Sequence, residues 1–387
     1  MAIRKGVMDK TVKRDPMYRY LMVLTVASAF GLQGWQTLFN NFAVEVVGLN
    51  GSQVGIIQSV REIPGFLALL AVYILFVLRE HRLSALSILF LGIGVAMTGI
   101  MPTMGGLVLT TLIMSLGFHY YETTNQSLTL QYFDQGNAPV VFGRQRSYAA
   151  ATNIAVGLTI YALAFILSYA VMYWLIGIVL CGVALWGFLQ NPVRNNLPIQ
   201  HKQMILRKRY GLFYFLTFLS GARRQIFMAF AVFLMVERFG FTVQEVTILF
   251  IANNGVNYYL SPMIGKAIVR YGERRVLSLE YASMIIIFLA YAWAQAKWMV
   301  AALYILDHIF FNFAIAIGTY FHKIADPRDI APSMAVGFTI NHIAAVALPV
   351  IGGMLWMVDY RIPFVGGAAL ALISLAGVQF IRLPKPA

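Results

Sequence analysis

Three arginines stand where arginine is seldom tolerated. Arg61, Arg223 and Arg224 lie inside long apolar runs. Placing a charged side chain at the centre of a membrane helix costs about 2.5–3.5 kcal/mol on insertion scales. Each therefore needs a counter-charge, a watered cavity or a bound anion. A guanidinium presents a rigid fork of donors that fits a carboxylate or a phosphate. Side chains able to exchange a proton near neutral pH occur in the same kind of run: Glu62, His119, Glu122, Asp307 and His308. His119, Glu122 and Gln126 are three and four residues apart and share one helical stripe, as do Gln58 with Glu62 and His308 with Asn312. Gln33, Gln36, Asn125, Asn253, Asn254, Asn341 and His342 add neutral ligands for a polar substrate. The competing reading for all of them is structural. Arg61 and Glu62 can form a locked ion pair, and Arg223 and Arg224 can pair across the bundle with Glu62, Glu122 or Asp307. The amides can serve as helix–helix hydrogen bonds.

The elements that carry these residues follow from composition. Of 387 residues, 60% are hydrophobic and 11% charged, against about 25% charged in a soluble protein. Apolar runs of roughly 20 residues, long enough to cross a hydrocarbon core, recur along the whole chain. Twelve spans are expected: 18–47, 52–78, 83–101, 105–133, 142–168, 171–190, 209–238, 243–269, 276–295, 298–325, 331–358 and 362–381. Turn residues separate them, among them Asn50-Gly51, Pro102, Pro139, Pro192, Pro327 and Pro363. Thr242 and Glu245 read as a capping box opening span eight. The basic leader before the first span is not a secretory signal, and the only cysteine, Cys181, lies in an apolar run.

Charge placement tests the count. With the N-terminus cytoplasmic, only Arg238, Lys297 and Arg361 of the 29 lysines and arginines fall on the opposite side. Arg61, Arg223 and Arg224 stay at membrane depth, and all the others are cytoplasmic. Losing or adding one span would scramble this asymmetry. Both termini are thus expected inside a cell (inner) membrane. The net charge of +14 marks cytoplasmic loops rather than a nucleic-acid surface.

A polar, basic connection at 191–208 divides the chain into an N-terminal bundle, 1–190, and a C-terminal bundle, 209–387. The halves are weakly alike: Phe42-Ala43-Val44 matches Phe230-Ala231-Val232, and Asn153 matches Asn341. Such repeats place a transporter's substrate site at the midplane between them. The loop after span eight reads Gly265-Lys-Ala-Ile-Val-Arg270-Tyr-Gly272-Glu-Arg274-Arg275. It resembles the short-loop pattern G-x-x-x-D-R-x-G-R-R of the major facilitator superfamily, with Val269 at the acidic position. The resemblance implies an all-α membrane protein of two pseudo-symmetric six-helix bundles. It also implies a central cavity lined by spans 1, 4, 7 and 10 with help from 2, 5, 8 and 11. It further implies gating charges at the cytoplasmic face, here Asp134, Arg144, Arg146, Arg270, Arg274 and Arg275, with Asp326, Arg328 and Asp329 nearby. Residues 142–168 carry no proline, unlike span five of the drug–proton antiporters.

The expected function is secondary transport of a small solute, most simply an organic anion, by proton-coupled alternating access. The expected partners are that anion, the proton and membrane lipids, with the chain acting as a monomer. No catalytic constellation, cofactor motif or phosphate-cradling G-x-x-x-x-G-K-[ST] loop is present, so neither an enzyme nor a cofactor is expected. The histidines lack zinc-like spacing, and no metal site is expected. The alternatives are an exporter of lipophilic or cationic compounds, a copper importer using the 18 methionines with histidine, and a non-transporting receptor or assembly factor.

Overall fold

A computed structural model describes residues 10–49, 51–75, 77–194, 206–241 and 243–382. Most of the 191–208 connection and Thr242 of the expected capping box lie outside these residues. A short helix, Lys10–Arg14, precedes twelve long helical segments. They are α1 (Pro16–Asn41, continued as a π turn over Phe42–Val46), α2 (Gly51–Phe66, continued through Leu67–Leu70 and Ala71–Ile74), α3 (Glu80–Thr98) and α4 (Met104–Tyr132). Next come α5 (Ala138–Leu163), α6 (Tyr169–Leu189), α7 (Gly211–Phe239) and α8 (Val243–Tyr271). The last four are α9 (Glu273–Ala292), α10 (Lys297–Phe311, continued through Asn312–Ala314 and Ile315–Ile324), α11 (Ile330–Val358) and α12 (Arg361–Val378). These are the twelve expected spans, with ends shifted by a few residues.

Local chemistry sets several boundaries. Asp15 caps α1 by accepting from the Met17 amide at 2.8 Å, and Thr103 caps α4 through the Gly106 amide at 3.0 Å. Gly272 takes φ +83 between α8 and α9, a left-handed conformation that glycine alone adopts without strain. Pro64 removes one amide from α2, and the helix tightens to 3-10 geometry at Leu67–Leu70. Neighbours take up the backbone groups there. Ser115 donates to the Arg61 carbonyl, Tyr120 to the Leu67 carbonyl at 3.3 Å, and the Leu69 amide donates to Thr339 at 2.9 Å.

Packing repeats across the two bundles. In the first, α3 packs on α6, α1 on α5 and α6, and α2 on α4. In the second, α9 packs on α12, α7 on α11 and α12, and α8 on α10. The same twofold relates the contacts between bundles, α5 with α8 and α2 with α11. By length and hydropathy alone, five of the described helices qualify as spans: α3, α6, α9, α10 and α12. Arg61, Glu62, His119, Glu122, Arg146, Arg224 and His342 all lie on other helices. Four of the five sit where the expected cavity-lining set (1, 4, 7, 10, 2, 5, 8, 11) leaves lipid-facing supports.

Every described side-chain hydrogen bond or ion pair between the bundles lies at mid-depth or toward the face bearing the termini. Ser147 donates to the Tyr258 carbonyl at 2.7 Å, and Asn153 donates to Asn254 at 3.2 Å. A Cβ on Gly143 would run into the Ser261 carbonyl, and one on Gly265 into the Pro139 carbonyl. These two glycines let α5 and α8 touch backbone to backbone. Gly143→Val or Gly265→Val should force the bundles apart at that face. In a Cys181→Ser background, maleimide should then label Ser147→Cys severalfold faster. An unchanged rate would show that this contact does not hold the face shut.

Candidate functional site

The buried charges gather in two groups. The first lies where the bundles meet. Arg61 pairs with Glu62 at 3.0 Å through one carboxylate oxygen, Oε1, and Glu62 Oε2 faces His342 Nε2 of α11 at 3.9 Å. His119 of α4 lies against His342, with ring centroids 4.9 Å apart. Arg224 adds its charge to Glu62, Glu122 and His342. Arg146 acts on Glu122 and also donates to Asn312 of α10 at 2.6 Å. Asn312 in turn donates to Asn257 of α8 at 2.5 Å. The 3-10 break at Asn312–Ala314 in α10 starts at this residue. Five helices, α2, α4, α5, α7 and α11, thus converge on one polar network of Arg61, Glu62, His119, Glu122, Arg146, Arg224 and His342.

The second group is internal to the C-terminal bundle. Arg223 is 2% exposed. It bonds Glu280 of α9 at 3.3 Å and Ser374 of α12, and its guanidinium lies 4.2 Å over the Tyr281 ring. Asp307 of α10 is fully buried near Arg223 and Glu280, and neither of its oxygens has a hydrogen-bond partner. Adjacent residues on a helix point about 100° apart. Arg223 and Arg224 are therefore divided, one into its own bundle and one toward the other half. Glu280, the partner of Arg223, was not among the counter-charges expected from sequence. It lies near the terminus-bearing end of α9, and only packing of α7 on α9 and α12 shows its reach.

The remaining expected residues divide similarly. Asn125 and Gln145 exchange hydrogen bonds between α4 and α5 at 3.0 and 3.4 Å. Asn341 donates to the Thr217 carbonyl at 3.2 Å, tying α11 to α7. His308 Nδ1 donates to the Tyr304 carbonyl at 3.1 Å, with its ring packed on Phe227 and Tyr304. Asn253 is buried beside Tyr304, and Asn254 joins the α5–α8 contact. Gln33 bonds Thr37 at 3.1 Å within α1, and Gln36 is exposed.

At the terminus-bearing face, Asp134 caps the turn into α5 through the Gly136 and Asn137 amides, both at 2.9 Å. Arg144 is half-buried. Arg270, Arg274 and Arg275 are exposed, and Arg274 bonds Gln379 at 2.9 Å. Among the described residues none of these three reaches a carboxylate. The ion pairs at this face stay within one half or tie it to the 191–208 connection, as Arg194 does with Asp15. Buried Asp329 accepts from Arg207 at 2.6 Å, Tyr210 at 2.7 Å and Arg209 at 3.0 Å, and buried Glu273 pairs with Lys323 at 2.7 Å. Arg146, expected at this gate, belongs instead to the central network, because α5 starts well below it.

Residues 213–387 match the Major Facilitator Superfamily, and the whole chain superposes on transporters of that fold. The human organic anion transporter MFSD10 (TETRAN) gives a TM-score of 0.76 at 12% identity, over 96% of this chain and 100% of that one. Its C-terminal half thus carries the sequence pattern of the major facilitator superfamily, and the chain as a whole has the fold of its transporters. The E. coli fucose:proton symporter FucP gives 0.75 at 14% identity, over 95% of this chain and 99% of its own. A bacterial homologue of the iron transporter ferroportin, in an outward-facing state, gives 0.73 at 12% identity, over 94% and 98%. No curated protein matches the sequence. The fold is that of a multi-pass membrane protein, and transporters built on it bind small-molecule substrates.

The division of the adjacent arginines is testable. Arg223→Ala leaves Glu280 buried without its partner and should cost roughly 3–5 kcal/mol of stability. Replacing both members by apolar residues, Arg223→Met with Glu280→Leu, should cost less than Arg223→Ala alone. Thermal midpoints in detergent report both, and a double variant less stable than the single would refute the pairing.

Proposed function

We propose that this facilitator is a proton-coupled carrier of a small organic anion working by alternating access. One observation carries the reading. At the junction of the bundles three guanidiniums, Arg61, Arg146 and Arg224, meet two carboxylates, Glu62 and Glu122. One positive charge is left over in a site that is only half-buried, and a monoanion is its natural complement. Guanidinium forks would fix a carboxylate in two bonds. An organic anion transporter and a proton symporter share this fold, so both parts of the reading lie within what the fold supports.

The proton is assigned to the second group. Asp307 and Glu280 lie by Arg223, with Arg146 acting on Glu280 from the other bundle, and the buried trio of Arg223, Glu280 and Asp307 is by itself neutral only when one of its carboxylates carries a proton. Opening the cavity toward one side and then the other would let this proton exchange. In the orientation set by the lysine and arginine distribution, both termini are cytoplasmic in the inner membrane. The contacts between bundles then close the cytoplasmic side, so the structure faces outward. The carrier acts as a monomer.

Thermal-shift screening of purified protein against carboxylates, phosphates, amines and metals tests the anion. Carboxylates should stabilise wild type and lose at least tenfold in apparent affinity for Arg224→Ala. Amines that stabilise, or carboxylates that stabilise Arg224→Ala equally, would sink the reading. In proteoliposomes, an inwardly directed proton gradient should accelerate uptake of the stabilising anion, and Asp307→Asn should abolish that acceleration while leaving exchange of the anion intact.

A further inference from the structure

One part of the central network goes beyond anion binding. Glu62, His119 and His342 each direct a metal-ligating atom to one point, and these atoms all lie within 4.8 Å of one another. They come from α2, α4 and α11, so the point lies between the bundles. Sequence spacing hides it, because the three residues are far apart in the chain.

We propose that Glu62, His119 and His342 form a binding site for one divalent transition-metal ion of the zinc or cobalt type. Two imidazoles and one carboxylate are ligands that suit such ions and leave a fourth tetrahedral position open. Tetrahedral zinc with bonds of about 2.0–2.1 Å places its ligand atoms about 3.4 Å apart. Glu62 Oε2 and His342 Nε2 stand at 3.9 Å, and small side-chain rotations close the remainder.

The surroundings have the form of a metal site's outer shell. His342 Nδ1 lies 2.9 Å from the Phe338 carbonyl, which can only accept. Nδ1 therefore carries the proton, and in the neutral ring Nε2 presents its lone pair to the point. A backbone carbonyl on the other ring nitrogen is how ligating histidines are oriented. Arg61 holds Glu62 through Oε1 and leaves Oε2 free. His119 is 4% exposed, and neither of its ring nitrogens has a hydrogen-bond partner. A buried imidazole without partners is costly, and a metal would satisfy it. Gly65 makes the room: a Cβ there would meet His342 Nε2 at 2.9 Å and His119 Cε1 at 3.0 Å. Arg61 and Arg224 oppose a dication, and the neutral imidazoles bind through lone pairs despite them. An ion held by His119 and His342 would tie the two bundles together on their closed side.

The test uses full-length protein purified on a tag without histidine and titrated with Co(II) alone, with no anion present. It therefore succeeds or fails independently of the anion reading. Wild type should show the visible bands of tetrahedral Co(II) at one equivalent, displaced by Zn(II), with a raised thermal midpoint. His119→Gln, His342→Gln and Glu62→Gln should each weaken binding, the histidine variants at least a hundredfold, while His322→Ala leaves it unchanged. The glutamine variants keep a polar side chain, and gel filtration confirms that they fold. Binding that survives both histidine substitutions, or no binding at one equivalent, overturns the proposal. In that event His342 and Glu62 are an ion pair and nothing more.

Discussion

A charge in an apolar interior must be answered by another charge, by water or by a ligand. That constraint organises this protein. The hydrocarbon core forbids unsatisfied backbone and so fixes twelve helices. It also makes each intramembrane charge costly and sends it inward. Among the described residues, α3, α6, α9, α10 and α12 are long and apolar enough to span. The charges of the central network lie on α2, α4, α5, α7 and α11, with α3 and α6 packed behind them in the first bundle. Even Arg223, which faces no cavity, is answered by Glu280, Ser374 and the Tyr281 ring.

Helical periodicity then assigns roles to neighbours. Arg223 and Arg224 are consecutive, yet one lies inside its bundle and the other faces the opposing half. The internal pair can be rigid, because nothing in alternating access requires α7 to leave α9 or α12. The interfacial charges belong to helices that must separate. Their partners are therefore arranged around a half-buried centre, where water or a ligand can replace a lost contact. Substituting one residue of the pair should change stability, and substituting the other should change binding.

How much of this was legible in the sequence differs by level. The twelve spans and their turns were legible, since bilayer thickness writes itself as a run length and proline or glycine marks the ends. Depth was legible for Arg61, Arg223 and Arg224. Pairing was not. Glu280 was not among the expected counter-charges, and Arg146 read as a gate, because a one-dimensional pattern cannot show which face of α5 or α9 meets α10 or α7. The gathering of His119 with His342 was likewise hidden, for histidines on separate helices leave no local spacing. Asn312 was noted for its spacing from His308, but its actual partners are Arg146 and Asn257 on two other helices.

The closed face shows how such a protein keeps its contacts reversible. A dry interface of large apolar side chains would be hard to open and hazardous once opened. Here α5 and α8 approach through Gly143 and Gly265, and single polar bonds cross between bundles: Ser147 to the Tyr258 carbonyl, Thr339 to the Leu69 amide, Asn153 to Asn254. Each such bond contributes about 0.5–1.5 kcal/mol net, and water can replace it when the helices part. The 3-10 turn after Pro64 supplies the Leu69 amide that an unbroken helix would have consumed. The irregularity in α2 and the seam on α11 are therefore one device. It places a weak, exchangeable bond one turn along α11 and two turns along α2 from the Glu62–His342 contact, so an event at the charged centre is close to one of the contacts that hold the halves together.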